Sequence, residues 1–198
     1  MRLLFLCLIP VTVIAVKEPR TGIDFPKKYK GYALEKLGVR TKGPIKVYAV
    51  GQYHDTFLLK MNMGVGTEKM SGALSDALKP RCKNKDAIAD FEVLLKSGCP
   101  NGVPKGMSLA FDTGRGKLSV SVNDKNIGSI GSKPLSQAFR GIYTDKNAVC
   151  KLLPIGDGSE EIDSNIGAFL TPRNFIFAGA TVALGYGIGK YFVMQAVE

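Results

Sequence analysis

Leu37-Gly-Val-Arg-Thr-Lys-Gly-Pro-Ile-Lys-Val-Tyr-Ala-Val-Gly-Gln-Tyr53 places a lone arginine, a tight Gly43-Pro44 connection and an alternating strand in immediate succession. From Ile45 the two-residue period sets Val47, Ala49 and Gly51 on one face and Lys46, Tyr48, Val50 and Gln52 on the other. Arg40, just ahead of the strand, and Tyr48, within it, become candidate anion-binding groups. A planar guanidinium offers two parallel charged hydrogen bonds to a carboxylate, and a phenol adds a third donor.

Strand and helix signals alternate outward from this stretch. Thr56 to Gly64 sets Phe57, Leu59, Met61 and Met63 on one face and is expected as a strand. Thr67 is expected to cap a helix carrying Met70, Ala73, Leu74, Ala77 and Leu78 at helical spacing until Pro80 stops it. A second helix follows Asn84, turns Ile88, Phe91, Leu94 and Leu95 inward and ends at Gly98. Met107 to Phe111, Leu118 to Val122 and Ile127 to Ile130 then form a meander broken by polar turns. Ser132 and Pro134 open a last helix whose Leu135, Ala138, Phe139 and Ile142 share one face. Strands, helices, strands, helix is an α+β order.

The 198 residues suit one domain, 16–156, with appendages at both ends. Met1-Arg2 and the apolar run Leu3 to Val16, followed by Lys17-Glu18-Pro19-Arg20, match a signal peptide cleaved after Ala15, so 1–15 is expected as a signal segment and the domain as luminal in the secretory or endomembrane system. At the other end, an acidic linker, 157–172, precedes the apolar, glycine-rich run Phe175 to Val197. This run is expected as a membrane helix within 173–198. Its uninterrupted part, Phe175 to Gly189, rises only about 22 Å, so Lys190 must snorkel for the helix to cross a core of roughly 30 Å.

A net charge of +10 favours anionic surfaces, but the cations are scattered and no basic block is interleaved with aromatics, which argues against nucleic acid. His54 is the only histidine, and neither a Cys-x-x-Cys pair nor any other metal-ligand spacing occurs; no cofactor is expected. His54 is read as a surface residue beside Asp55. Without Cys7 three cysteines remain, and a Cys82–Cys99 disulfide stays open, because the intervening helix would hold its ends apart unless the chain doubled back. Asp112-Thr113-Gly114 occurs once, in an expected hairpin turn, and is no protease half-site.

The quoted stretch, together with TFLLKMNMGVGTEKMSGALSDAL, GMSLAFDTGRGKLSVSVNDKNIGSI and PLSQAFRGIYTDKNAV in that order, resembles the chalcone isomerase-like family over about Gly22 to Pro154. The resemblance implies an antiparallel sheet with helices covering one side around an apolar cleft. The family's isomerases use an arginine before the first core strand, a threonine within it, a tyrosine and an asparagine on the first long helix, and a hydroxyl on the late helix. Arg40 matches the first; Tyr48, Leu74, Arg81 and Ile142 stand at or near the others. Leucine and isoleucine cannot hold a water or a hydrogen bond against a developing enolate. Arginine paired with a strand tyrosine is instead the pattern of the family's non-catalytic fatty-acid-binding branch.

The expected ligand is therefore a fatty acid or a similar amphiphilic carboxylate. Arg40 and Tyr48 are expected to hold its head group, and Met61, Met63, Leu74 and Ile142, with Phe57, Leu59 and Met70 nearby, to line the chain. The alternatives are an intramolecular lyase of the chalcone isomerase type and a membrane-anchored assembly module.

Overall fold

Positive-φ turns fix the strand pairings of this chain, for which a computed structural model describes residues 15–155. The expected linker, the expected membrane helix and all but the last residue of the expected signal segment lie outside those residues. Ala15 opens β1 (Ala15–Lys17), which pairs with β2 (Asp24–Pro26) so that Val16 stands opposite Phe25. β3 (Lys28–Tyr29) and β4 (Tyr32–Ala33) form a hairpin closed by Lys30 and Gly31 at φ 49° and 89°, the left-handed pair that a two-residue turn requires. β5 (Lys36–Lys42), β6 (Ile45–Tyr53) and β7 (Thr56–Met61) follow, with Gly43 at φ 58° in the first connection and His54 at φ 55° in the second.

Two helices, α1 (Thr67–Leu78) and α2 (Lys85–Gly98), lead to β8 (Ser108–Asp112), β9 (Leu118–Val122) and β10 (Lys125–Ile130). α3 (Lys133–Thr144) and the short β11 (Leu153–Pro154) complete the described chain. The main sheet has seven antiparallel strands in the order β10-β9-β8-β7-β6-β5-β11.

Side-chain caps start two of the helices. The Asn84 side chain accepts from Ala87 N–H at 3.1 Å, and Ser132 accepts from Leu135 N–H at 3.3 Å. At α1 the cap is Gly66 rather than Thr67. The Thr67 hydroxyl donates to the Cys99 carbonyl and accepts from Gly102 N–H, tying the start of α1 to the end of α2.

The helices cover one face of the sheet. Tyr48, Val50, Phe57, Leu59, Met61, Leu109, Phe111 and Val120 pack against Met70, Leu74 and Leu78 of α1, Phe91 and Leu95 of α2, and Leu135, Phe139 and Ile142 of α3. Phe139 lies 4.5 Å from Phe111, 5.9 Å from Phe91 and 6.0 Å from Tyr143, centroid to centroid. Such aromatic pairs add roughly 0.5–1.5 kcal/mol each beyond their area burial, so this cluster is what seats α3 on the sheet. The opposite face carries a second core, in which Ala49, Tyr53, Leu58 and Ala110 are covered by Phe25 of the N-terminal ribbon. Gly51 permits that cover, because a Cβ there would sit 2.8 Å from the Phe25 ring and 2.9 Å from Leu34.

Two expectations need correction and one open question is answered. The strand expected over Thr56 to Gly64 stops at Met61. Asn62 and Met63 both donate their N–H to the Val47 carbonyl, at 3.0 and 3.3 Å, which breaks the two-residue period and turns Met63 out to 36% exposure. Arg40 precedes β6 as expected, but it is not a connecting residue: it lies inside a strand of its own, β5. Cys82 and Cys99 are buried free thiols flanking α2, whose 14 residues rise about 21 Å, far beyond the roughly 7 Å that a disulfide spans between Cα atoms.

Candidate functional site

Register brings the two anion-binding candidates together. In the β5–β6 ladder Arg40 stands directly opposite Tyr48, and the register shifts between Arg40 and Thr41, a bulge of the kind that re-aims a side chain. On its other side Tyr48 faces Met61 of β7. Tyr48 is 5% exposed, and its hydroxyl lies 3.2 Å from that of Tyr143, itself buried near the end of α3.

A strap of chain after α3 closes over Arg40. Arg81 grips Asp145 with two hydrogen bonds, from Nε at 2.8 Å and from Nη2 at 3.1 Å, and also donates to the Asn147 carbonyl at 2.7 Å. Val149 N–H donates to the Ile142 carbonyl at 2.9 Å, and the Val149 carbonyl accepts from Arg40 Nη1 at 2.5 Å. β11 then joins the edge of β5, with Leu153 opposite Leu37. The strap runs so close to β5 that a Cβ on Gly38 would lie 2.6 Å from the Lys151 carbonyl oxygen, so only glycine fits there.

The electrostatics of this corner favour donors. Burial pushes the Tyr48 hydroxyl up to about 12 against the opposing pull of Tyr143 and Arg40, and burial first, then Tyr48, raises that of Tyr143 well above the ordinary tyrosine value. Burial also raises the Cys150 thiol to about 11, partly offset by Arg40. All three groups are neutral at physiological pH. Among the described residues no carboxylate lies within ion-pair distance of Arg40, and its one hydrogen bond goes to Val149, leaving most of its five donors unused. A half-buried guanidinium with unused N–H groups stands beside two neutral phenols and, among the described residues, no carboxylate, so the corner offers hydrogen-bond donors while the Val149 carbonyl occupies one of the guanidinium's.

Of the residues expected to line an apolar chain, Met61, Leu74 and Ile142 belong to the same core cluster as Tyr48, with exposures of 1%, 3% and 0%. Met63 is not brought to this site. Arg81, near a polar position of the isomerases, is committed to the strap. The resemblance points to Ile142 for a late-helix hydroxyl, whereas the structure supplies one from Tyr143. The spacing of Leu135, Ala138, Phe139, Ile142 and Tyr143 signals this, since Tyr143 completes the apolar stripe at eight residues from Leu135. Val149 and Cys150 carry no signal in the sequence.

Two depressions on the described surface lie elsewhere. One follows the start of α1 beside Lys96 and Pro100 to Gly102; the other, of about 190 Å³, lies between Thr113 to Gly116 and the α3 residues Lys133, Ser136, Gln137 and Arg140. His54 is exposed, as expected, and stacks on Tyr32 with ring centroids 5.3 Å apart. Among the described residues no cluster of three or more His, Cys, Asp or Glu is placed to hold a metal ion, and no helix is long and apolar enough to cross a membrane.

No family model matches the chain, and no curated protein matches it. Among solved structures it is similar to the crystal structure of the fatty-acid binding protein AtFAP1 from Arabidopsis thaliana, with a TM-score of 0.62 and 19% sequence identity, covering 69% of this chain and 91% of that one. AtFAP1 is a chalcone isomerase-like protein. With its seven-stranded antiparallel sheet and three helices on one face, this chain has the chalcone isomerase-like fold.

Proposed function

We propose that the chain binds fatty acids or related amphiphilic carboxylates without turning them over, Arg40 and Tyr48 holding the head group and Met61, Leu74 and Ile142 meeting the hydrocarbon. The observation that carries this reading is a half-buried arginine with no carboxylate partner among the described residues, paired in register with a buried tyrosine at the rim of the apolar core. The fatty-acid binding protein of the same fold supports it. A chain entering here must part α1 and α3 from the sheet, because the apolar residues pack against one another. The same proposal includes a membrane attachment through 173–198 and entry to the secretory pathway through 1–15, supported by the apolar runs there.

Mass spectrometry of lipids retained by the purified full-length protein, followed by laurate titration, tests the binding. Retention of no acyl carboxylate, together with an undetectable affinity for laurate, removes the reading. The isomerase alternative is followed in the same preparation as Arg40-dependent loss of chalcone absorbance above the spontaneous rate. Resistance of the full-length protein to carbonate extraction tests the membrane attachment.

A further inference from the structure

Two touching phenols carry two hydroxyl protons, and the contact between them uses only one. The Tyr48 and Tyr143 oxygens are 3.2 Å apart, and neither hydroxyl has another hydrogen-bond partner among the described residues. Whichever phenol donates to the other, one proton is left without a protein acceptor at a site where Tyr48 is 5% and Tyr143 2% exposed. An unpaired buried donor is costly. On the strap, the Val149 carbonyl accepts from Arg40, and no backbone carbonyl accepts from either phenol among the described residues.

Arg40 stands opposite Tyr48 in the ladder, so an oxyanion gripped by the guanidinium would lie beside Tyr48 and accept a hydrogen bond from its O–H, with Tyr143 donating to the Tyr48 oxygen. We infer that Tyr143 is a positioning residue: its hydrogen bond to Tyr48 aims the Tyr48 O–H at the ligand and makes the head-group site selective for an ionised carboxylate over the alcohol of equal chain length. This rests on the fatty-acid reading above. It gives Tyr143 a role that acts only through Tyr48. Burial keeps both phenols protonated at neutral pH, so neither brings a negative charge that would compete with the ligand. A donating neighbour also polarises the Tyr48 O–H and strengthens the bond it makes.

The test uses the full-length protein with laurate and dodecanol as probes, each displacing a fluorescent fatty acid. Tyr143→Phe keeps the ring that stacks on Phe57 at 5.2 Å between centroids, so the fold is retained, and an unchanged melting temperature verifies this. Tyr143→Phe is expected to raise the laurate Kd roughly two- to tenfold while the dodecanol Kd moves less than twofold. The double variant Tyr48→Phe with Tyr143→Phe should bind laurate no more weakly than Tyr48→Phe alone, since removing the relay's end removes the relay. An additive loss, or an equal loss for laurate and dodecanol, overturns the positioning role. A laurate Kd unmoved by Tyr143→Phe, in a protein that loses laurate on Arg40→Ala, overturns the inference and leaves the fatty-acid reading standing. Wild-type protein that binds no laurate overturns both.

Discussion

Replacing Arg40 by alanine should act on stability and on binding through different contacts, and the two effects can be separated. The guanidinium donates to the Val149 carbonyl at 2.5 Å in a half-buried position, so Arg40→Ala removes one charge-assisted bond and leaves a carbonyl on the strap without its partner. A hydrogen bond from a charged group contributes about 1.5–3 kcal/mol, and solvent reaching the strap offsets part of this, so a net loss of about 1–2 kcal/mol is expected. For a domain of this size that is a fall of roughly 3–8 °C in melting temperature. Loss of the guanidinium's grip on a carboxylate should separately weaken laurate binding by about tenfold to more than a hundredfold. Arg40→Lys divides the two effects, because an ammonium can still reach the Val149 carbonyl but cannot form the planar fork. It should recover most of the melting temperature and little of the affinity. Differential scanning fluorimetry and fluorescent fatty-acid displacement on the same preparations read both quantities. Laurate affinity indifferent to Arg40→Ala would show that the arginine serves the strap alone, and the candidate site would be wrong.

Other contacts make equally concrete demands. Gly38→Ala drives a Cβ to 2.6 Å from the Lys151 carbonyl oxygen, and because backbone yields less readily than a side chain it should displace β11 and speed proteolysis between Asp145 and Ile155, mapped by mass spectrometry. Gly51→Ala should cost about 1–3 kcal/mol by pressing on the buried Phe25 ring, measured by urea unfolding; no loss would mean that the N-terminal ribbon does not cover that face. Cys82, Cys99 and Cys150 should resist iodoacetamide at pH 8 in the folded protein and react in 6 M urea. In the folded protein Cys150 should stay unreactive even as the pH is raised toward 9, since burial raises its thiol to about 11.

The alternation through β6 was readable because a buried strand has only two faces, and the quoted stretch placed Tyr48 and Val50 together, opposite Ala49 and Gly51, as the two cores do. The helices were readable for a similar reason, their apolar spacing running unbroken into Pro80 and Gly98. Met63 was misplaced because period alone does not reveal where a strand stops; a shared acceptor at Val47 ends it three residues early, at Met61. Tyr143 was missed because one residue on a helix is a rotation of about 100°, and both Ile142 and Tyr143 are buried when sheet and strap flank the same turn. The strap itself has no periodic signal. Its place depends on Arg81 meeting Asp145 across 64 residues of sequence, which no local pattern encodes.

The bond from Arg40 to Val149 links positions 109 residues apart, and the phenol pair links positions 95 apart. A ribosome delivers Arg40 and Tyr48 long before it delivers their partners. Until then β5 is the open margin of a growing sheet, the place where another chain's strand would add, and the cations Lys36, Arg40 and Lys42 along it discourage such pairing. When the strap arrives, its Val149 carbonyl accepts a hydrogen bond from one of those guardians, Arg40. Capture of a carboxylate at Arg40 would therefore be a property of the finished chain, and a nascent or clipped protein lacking the strap should aggregate before it binds.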